Sequence, residues 1–321
     1  MRRAGLALLT AASLAGGVAT AAPRPLAAAS AKRLPPGVTG WRDSGAGGIR
    51  GITIGPIESG LHPNKGYGSP ACARTMNEVS RVGGNWVSLT PFGRMRHTDS
   101  SGIDLTFETP FAQNEKAVRG AVAEAHAAGL RVLLVPHLWV ETGDWRGRMD
   151  PGDDAEWADF ARSYRRFVLT WARVAEAAHV DMLSVGVELR SWVTTTRATS
   201  FIDIVRDVRG VYSGPLTYAS NWDDVEDNVV LGELDVIGVN AFFPLSDKPG
   251  GDAATLRKGG ENVATRMRAT AASWNKPILL TEIGYTTRAD PAFEPWIWPD
   301  ALTGVKVDQA AQDEAYTALL A

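Results

Sequence analysis

Two glutamates in this chain stand where a single charge is costly, each closing a short β-rich apolar run. Pro277-Ile278-Leu279-Leu280-Thr281-Glu282-Ile283-Gly284-Tyr285 ends around Glu282, and Met182-Leu183-Ser184-Val185-Gly186-Val187-Glu188-Leu189 ends around Glu188. A carboxylate at the tip of a buried strand needs a partner or a task. Alone, either glutamate reads equally well as a structural ion pair. Together, at matching ends of two strands, they suit the hydrolysis of a glycosidic bond. One carboxyl protonates the leaving oxygen and the other meets the developing oxocarbenium ion. Carboxyls about 5–5.5 Å apart retain the anomeric configuration, and about 6.5–9.5 Å apart invert it.

The elements around them alternate. Strand-like segments lie at Ile49–Ile57, Asn85–Phe92, Arg131–Val140, Met182–Leu189, Pro215–Asn221, Asp235–Phe243 and Pro277–Tyr285. Helix-like segments lie at Ala71–Val82, Gln113–Ala128, Asp153–Ala178, Arg197–Val211, Thr255–Trp274 and Asp308–Leu320, with a weaker one at Asp223–Leu231. The helix from Asp153 is the best marked, because Trp157, Phe160, Ala161, Tyr164, Phe167, Val168, Trp171, Val174 and Ala175 recur at i, i+3, i+4 spacing. Alternating strands and helices predict a parallel sheet, here an α/β fold of the (β/α)8 barrel type. Only seven strands are visible. We therefore expect this chain to lack the last β/α unit, about 25–35 residues, unless Pro291–Val307 hides a strand. An unclosed ring leaves the first and seventh strands with open edges.

Side chains alternate along a barrel strand, and barrel sites lie at the strands' C-terminal ends. Alternation predicts Ser184, Gly186 and Glu188 inward on the fourth strand, with Leu183, Val185, Val187 and Leu189 toward helices. On the seventh it predicts Ile278, Leu280 and Glu282 inward. Candidate sugar contacts on the same rim are His137 and Trp139 after the third strand, Asn221 and Trp222 after the fifth, and Asn240 after the sixth. Tyr285 beside Glu282, and Trp296 and Trp298 in an overhanging loop, complete the set. Indole faces stack on sugar rings, and amides and imidazole hydrogen-bond to hydroxyls. His137 reads equally as a structural rim histidine, and the loop tryptophans equally as packing.

At 321 residues, with 45% hydrophobic and 21% charged content and a formal charge of −3, the chain can bury a large core and has no basic stripe for nucleic acid. No His-x-His, His-Glu-x-x-His or Cys-x-x-Cys pair suggests a metal. No strand carries a Schiff-base lysine, no Gly-x-Ser-x-Gly occurs, and no cofactor is expected. Gly45-Ala46-Gly47-Gly48 lacks the third glycine of a dinucleotide fingerprint. Met1–Ala21 has the basic start, short apolar run and Ala19-Thr20-Ala21 site of a Sec-type signal peptide. Residues 22–48 read as a flexible Pro/Ala/Gly leader, and 49–321 as the catalytic domain. A secreted or periplasmic bacterial protein is the expectation, off the membrane once the signal is cleaved. The lone Cys72 leaves its stability to the core rather than to an internal disulfide.

The chain resembles glycoside hydrolase family 113, retaining β-mannanases of the (β/α)8 clan A. The resemblance rests on Gly84-Asn85-Trp86-Val87-Ser88-Leu89-Thr90-Pro91-Phe92-Gly93, on Pro136-His137-Leu138-Trp139-Val140 with Trp145-Arg146-Gly147, and on Gly186-Val187-Glu188-Leu189. Leu216-Thr217-Tyr218 with Asn221-Trp222, and Thr281-Glu282-Ile283-Gly284-Tyr285, extend it. It implies that Glu188 is the acid/base, that Glu282 is the nucleophile, and that His137, Trp139, Asn221 and Trp222 contact a β-1,4-mannan. Three positions depart from it. Val187 stands where many clan A families carry Asn, and Asn240-Ala241-Phe242-Phe243-Pro244-Leu245 replaces Asp-Ala-Tyr-Phe-Pro-Leu, removing a tyrosine hydroxyl that would steer the nucleophile. The alternatives are a retaining hydrolase of another β-glycan and a non-catalytic carbohydrate-binding barrel.

Overall fold

The computed structural model describes residues 48–55, 63–106, 109–297 and 304–321. The expected signal peptide, nearly all of the leader, Trp298 and part of Pro291–Val307 lie outside them. Seven parallel strands form one sheet in the spatial order β1 (Gly51–Ile54), β2 (Trp86–Leu89), β4 (Arg131–Leu134), β6 (Met182–Val187), β7 (Leu216–Asn221), β8 (Ile237–Asn240) and β9 (Ile278–Glu282). The sheet curls into a nearly closed TIM-type barrel. Between the strands run α1 (Pro70–Arg81), α2 (Phe111–Ala127), α3 (Asp154–Ala177), the short α4 (Arg190–Val193), α5 (Ala198–Arg209) and α6 (Ala253–Trp274), with α7 (Gln309–Leu320) last. Among the described residues no strand lies between β1 and β9. Both outer edges show it: Ile52 is 47% exposed, and every residue of β9 is only half-buried. The expected weak helix at Asp223–Leu231 is instead two 3₁₀ turns.

A proline divides the expected strand Arg131–Val140 in two, and another ends the main part of the expected strand Asn85–Phe92. Pro91 ends β2 and Pro136 ends β4; the chain then resumes as β3 (Phe92–Met95) and β5 (His137–Val140), which pair with each other in a separate two-stranded parallel sheet. Proline has no N–H for a ladder bond, so each strand leaves the main sheet there. This small sheet is what carries His137 and Trp139 beyond the barrel rim.

The helices begin where their caps dictate. Asp153 starts α3 by accepting from Ala155 N–H (2.8 Å) and Glu156 N–H (3.0 Å), while the Glu156 carboxylate accepts from Asp153 N–H (2.9 Å). The predicted apolar face of α3 is buried, and its aromatics run in contact from Trp157 through Phe160 and Tyr164 to Phe167, edge-to-face at both ends and tilted between Phe160 and Tyr164. Trp192, Phe201 and Tyr218 close the cluster from α4, α5 and β7. The same core fixes the strand that delivers Glu188, because the Tyr164 hydroxyl donates to Val185 O at 2.8 Å. At the far side, Gly260 lets α7 approach α6: a Cβ there would stand 2.0 Å from Ala318 O.

The faces of two strands differ from simple alternation. Leu183, Val185, Ile278 and Leu280 belong to the large core shared with the helices, whereas Met182, Val187 and Leu279 belong to a smaller cluster with Trp86, Leu133 and Ala219 on the opposite, interior face. Val187 therefore points inward and Gly186 does not; a Cβ on Gly186 would stand 2.8 Å from the Tyr218 ring. Ile278 and Leu280 likewise face helices. The reason is a register shift in each strand, between Ser184 and Val187 where β6 meets β7, and between Val239 and Asn240 where β8 meets β9. One extra residue reverses the alternation after it.

Candidate active site

The second of these shifts sets Glu282 opposite Asn240, so Glu282 reaches the interior by a bulge. Glu188 gets there differently. It follows β6 with φ of 52°, a left-handed conformation that costs a non-glycine residue about 1–2 kcal/mol. Two hydrogen bonds hold it there: Glu188 N–H donates to Ala219 O at 2.9 Å, and Leu189 N–H donates to the Tyr218 hydroxyl at 2.6 Å. Strain held at a buried carboxylate in this way makes Glu188 a candidate functional residue.

Three donors converge on Glu188. Trp145 Nε1 and Arg146 Nη1 both donate to Oε2 at 2.8 Å, and Asn240 Nδ2 donates to Oε1 at 2.9 Å. Two of these donors are themselves held by hydrogen bonds. Arg146 Nε donates to Leu138 O at 3.1 Å, tying the guanidinium to β5, and the Thr281 hydroxyl donates to Asn240 Oδ1 at 2.9 Å, turning the amide N–H toward the carboxylate. Asn240 is fully buried. Glu282, half-open to the cleft yet densely surrounded, is pushed up to about 7, first by burial and second by the negative charge of Glu188; Arg146 and Asn240 pull the other way. The two carboxyls thus share one electrostatic environment, in which the Arg146 charge and the Asn240 amide act on both.

The remaining predicted residues divide into three groups. His137 is 8% exposed, beside the Phe92 ring (5.3 Å between centroids), and is held well below its ordinary value by burial and then by the Arg146 charge, so it is a neutral imidazole. Trp139, on the same strand, meets Phe92 edge-on at 5.9 Å and is 36% exposed. Across the rim, Trp222 stacks on Trp296 with centroids 5.2 Å apart and planes 17° apart, and meets Phe243 edge-on at 5.9 Å. Trp296 remains 43% exposed. Asn221 donates to Asp223 Oδ1 at 2.7 Å. Tyr285 is buried, its hydroxyl donating to Phe243 O at 3.0 Å and its ring packed on Tyr316, so its polar group is spent within the protein. The Phe242 ring lies over Gly284, where a Cβ would come within 3.0 Å of it.

The family model for Glycoside Hydrolase Family 113 matches residues 60–321. The chain belongs to this family. No curated protein matches it. Among solved structures, "GH113 beta-mannanase AaManA from Alicyclobacillus acidocaldarius in complex with ManMIm" is similar at 24% identity and TM-score 0.72, covering 84% of this chain and 81% of that one. Two further matches described as GH113 beta-1,4-mannanase have 20% and 18% identity with TM-scores of 0.71 and 0.70, each covering 84% of this chain and 82% of the other. At these identities the likeness establishes the fold.

As a family 113 member the protein is a glycoside hydrolase, and its substrate is a polysaccharide or oligosaccharide. Trp145 and Arg146 are absent from the residues that strand-end reasoning selects, although both bond directly to Glu188. They sit outside any strand, Trp145 as the extended residue that precedes the 3₁₀ segment Arg146–Arg148 and Arg146 as its first residue. Their only signal in the sequence is the Trp145-Arg146-Gly147 motif. Asp224 was also silent. It is buried beside Arg190, and burial pushes its carboxyl up to about 6 although the guanidinium holds it down.

Proposed function

We propose that this protein is a secreted, retaining endo-β-1,4-mannanase in which Glu188 is the acid/base and Glu282 the nucleophile. The observation that carries the reading is the convergence of both glutamates on Asn240 and Arg146, with enough coupling for the charge of one to raise the other. In the first step the one proton held by the coupled pair sits on Glu188, which gives it to the glycosidic oxygen as the ionised Glu282 attacks the anomeric carbon, forming a glycosyl-enzyme. In the second, Glu188 takes a proton from water as that water attacks, which releases Glu282. Asn240 and Arg146 stand beside both carboxyls and compensate the negative charge as it passes from one to the other.

The exposed Trp139 and the Trp222–Trp296 stack are the surfaces we assign to sugar rings, with His137 and Asn221 as neighbouring polar contacts. Mannan as substrate is supported by the mannanases named above. Export is supported by the signal-like Met1–Ala21. Incubation with mannan and manno-oligosaccharides tests the reading: the intact protein releases β-configured products, and Glu188→Gln and Glu282→Gln each lose at least about 10³-fold in kcat. Activity confined to another β-glycan in a substrate panel would refute the sugar assignment, and full activity in either variant would refute the residue assignment.

A further inference from the structure

Arg190 has no part in the chemistry described so far, yet it stands two residues after Glu188 in an unusual setting. Its guanidinium carbon lies 4.8 Å from the centroid of the Trp145 ring. Its Nε donates to Asp224 Oδ2 at 2.7 Å, and Nη2 is paired with Asp223. Both acids are fixed in turn. Asp224 is 5% exposed, and Asp223 accepts from Asn221. An ion pair whose only task was to tie α4 to the loop after β7 would not need an indole under the guanidinium. Trp145 is confined from another side as well, because a Cβ on Gly147 would come within 2.4 Å of its six-membered ring. The indole is therefore hemmed in by the Gly147 backbone and the Arg190 guanidinium, and the one polar group it carries, Nε1–H, is the group that meets Glu188 Oε2.

We propose that Arg190, held by Asp223 and Asp224, is a positioning residue that fixes the Trp145 indole and through it the carboxyl of Glu188. The inference rests on the acid/base reading of Glu188. Trp145 and Arg146 share one oxygen of Glu188, so losing the indole's direction leaves the carboxyl to turn about the remaining donors. Its proton then misses the glycosidic oxygen. A small misplacement of a catalytic group costs up to about 100-fold.

A purely structural Arg190 and a positioning Arg190 differ in how the defect depends on the leaving group. A dinitrophenyl leaving group departs without protonation, whereas a sugar hydroxyl needs the acid, and kcat/KM reports only the steps up to the glycosyl-enzyme. We expect Arg190→Met to lower kcat/KM for an unactivated manno-oligosaccharide by about 10- to 100-fold and to change it by less than about threefold for a dinitrophenyl β-manno-oligosaccharide. Trp145→Phe, which deletes the N–H and keeps the ring, should give the same split. Asp224→Asn, which weakens the hold on Arg190, should give a smaller split in the same direction and serves if Arg190→Met does not fold. Equal losses on the two substrates, or no loss on either, overturn the proposal. Glu188→Gln run in parallel separates the two levels: if it shows no leaving-group dependence, the role of Glu188 is wrong rather than that of Arg190.

Discussion

Removing the charge of Glu282 should stabilise the protein while abolishing its activity, and the size of the effect follows from the site. Raising a carboxyl from the ordinary 4.5 to about 7, at about 1.4 kcal/mol per tenfold change in proton affinity, makes ionisation about 3 kcal/mol harder in the folded chain than in the unfolded one. The folded state then binds the proton more tightly, so this stability is present below pH 4.5 and is lost as pH rises through about 7. Glu282→Gln carries no charge and escapes that loss. Urea unfolding of both proteins at pH 5 and pH 8 should show the variant gaining about 2–3 kcal/mol relative to wild type between the two pH values. A difference that stays constant from pH 5 to pH 8 would refute the claim that burial and Glu188 penalise the Glu282 charge.

Activity has its own pH signature. Turnover needs one proton on the glutamate pair, so kcat/KM should fall as pH rises through about 7, where that proton is lost; a rate that keeps rising to pH 9 would contradict this. Phe160, fully buried in the aromatic cluster behind β6, should cost about 3–5 kcal/mol when changed to Ala, measured by urea unfolding. Gly147→Ala should leave circular dichroism unchanged and cut hydrolysis of unactivated oligosaccharides by about tenfold or more, because its Cβ displaces the Trp145 ring.

The barrel was legible in the sequence because its signals are local and redundant. Seven apolar runs, the helical spacing of α3 and the Asp153 cap each point to the same element, and Glu188 and Glu282 stand out as charges at the ends of such runs. What alternation missed are events of one residue. The bulges in β6 and β9 leave no mark in the sequence, since Ser184, Val185 and Gly186 fit either face, yet they decide that Val187 and not Gly186 lines the interior. The left-handed turn at Glu188 is equally silent, because glutamate is a poor candidate for that conformation and only Tyr218 and Ala219, both distant in sequence, hold it there. Pro91 and Pro136 were visible punctuation. Pro136 divides a strand that the apolar pattern runs together, and Pro91 separates β2 from a strand, β3, that the pattern does not mark. The donors Trp145 and Arg146 lie outside regular strands, where periodicity has nothing to say. The open edges of β1 and β9 agree with the seven strands counted from the sequence.

In the proposed mechanism Glu282 attacks the sugar and Glu188 serves as its acid/base. Incubation with a 2-deoxy-2-fluoro-β-mannosyl fluoride, followed by proteolysis and mass spectrometry of the labelled peptide, tests it most directly, because the fluorinated glycosyl-enzyme forms and then hydrolyses slowly. We expect one sugar per chain attached at Glu282, with labelling retained in Arg190→Met. A label on Glu188, or turnover with inverted product and no covalent adduct, would contradict it.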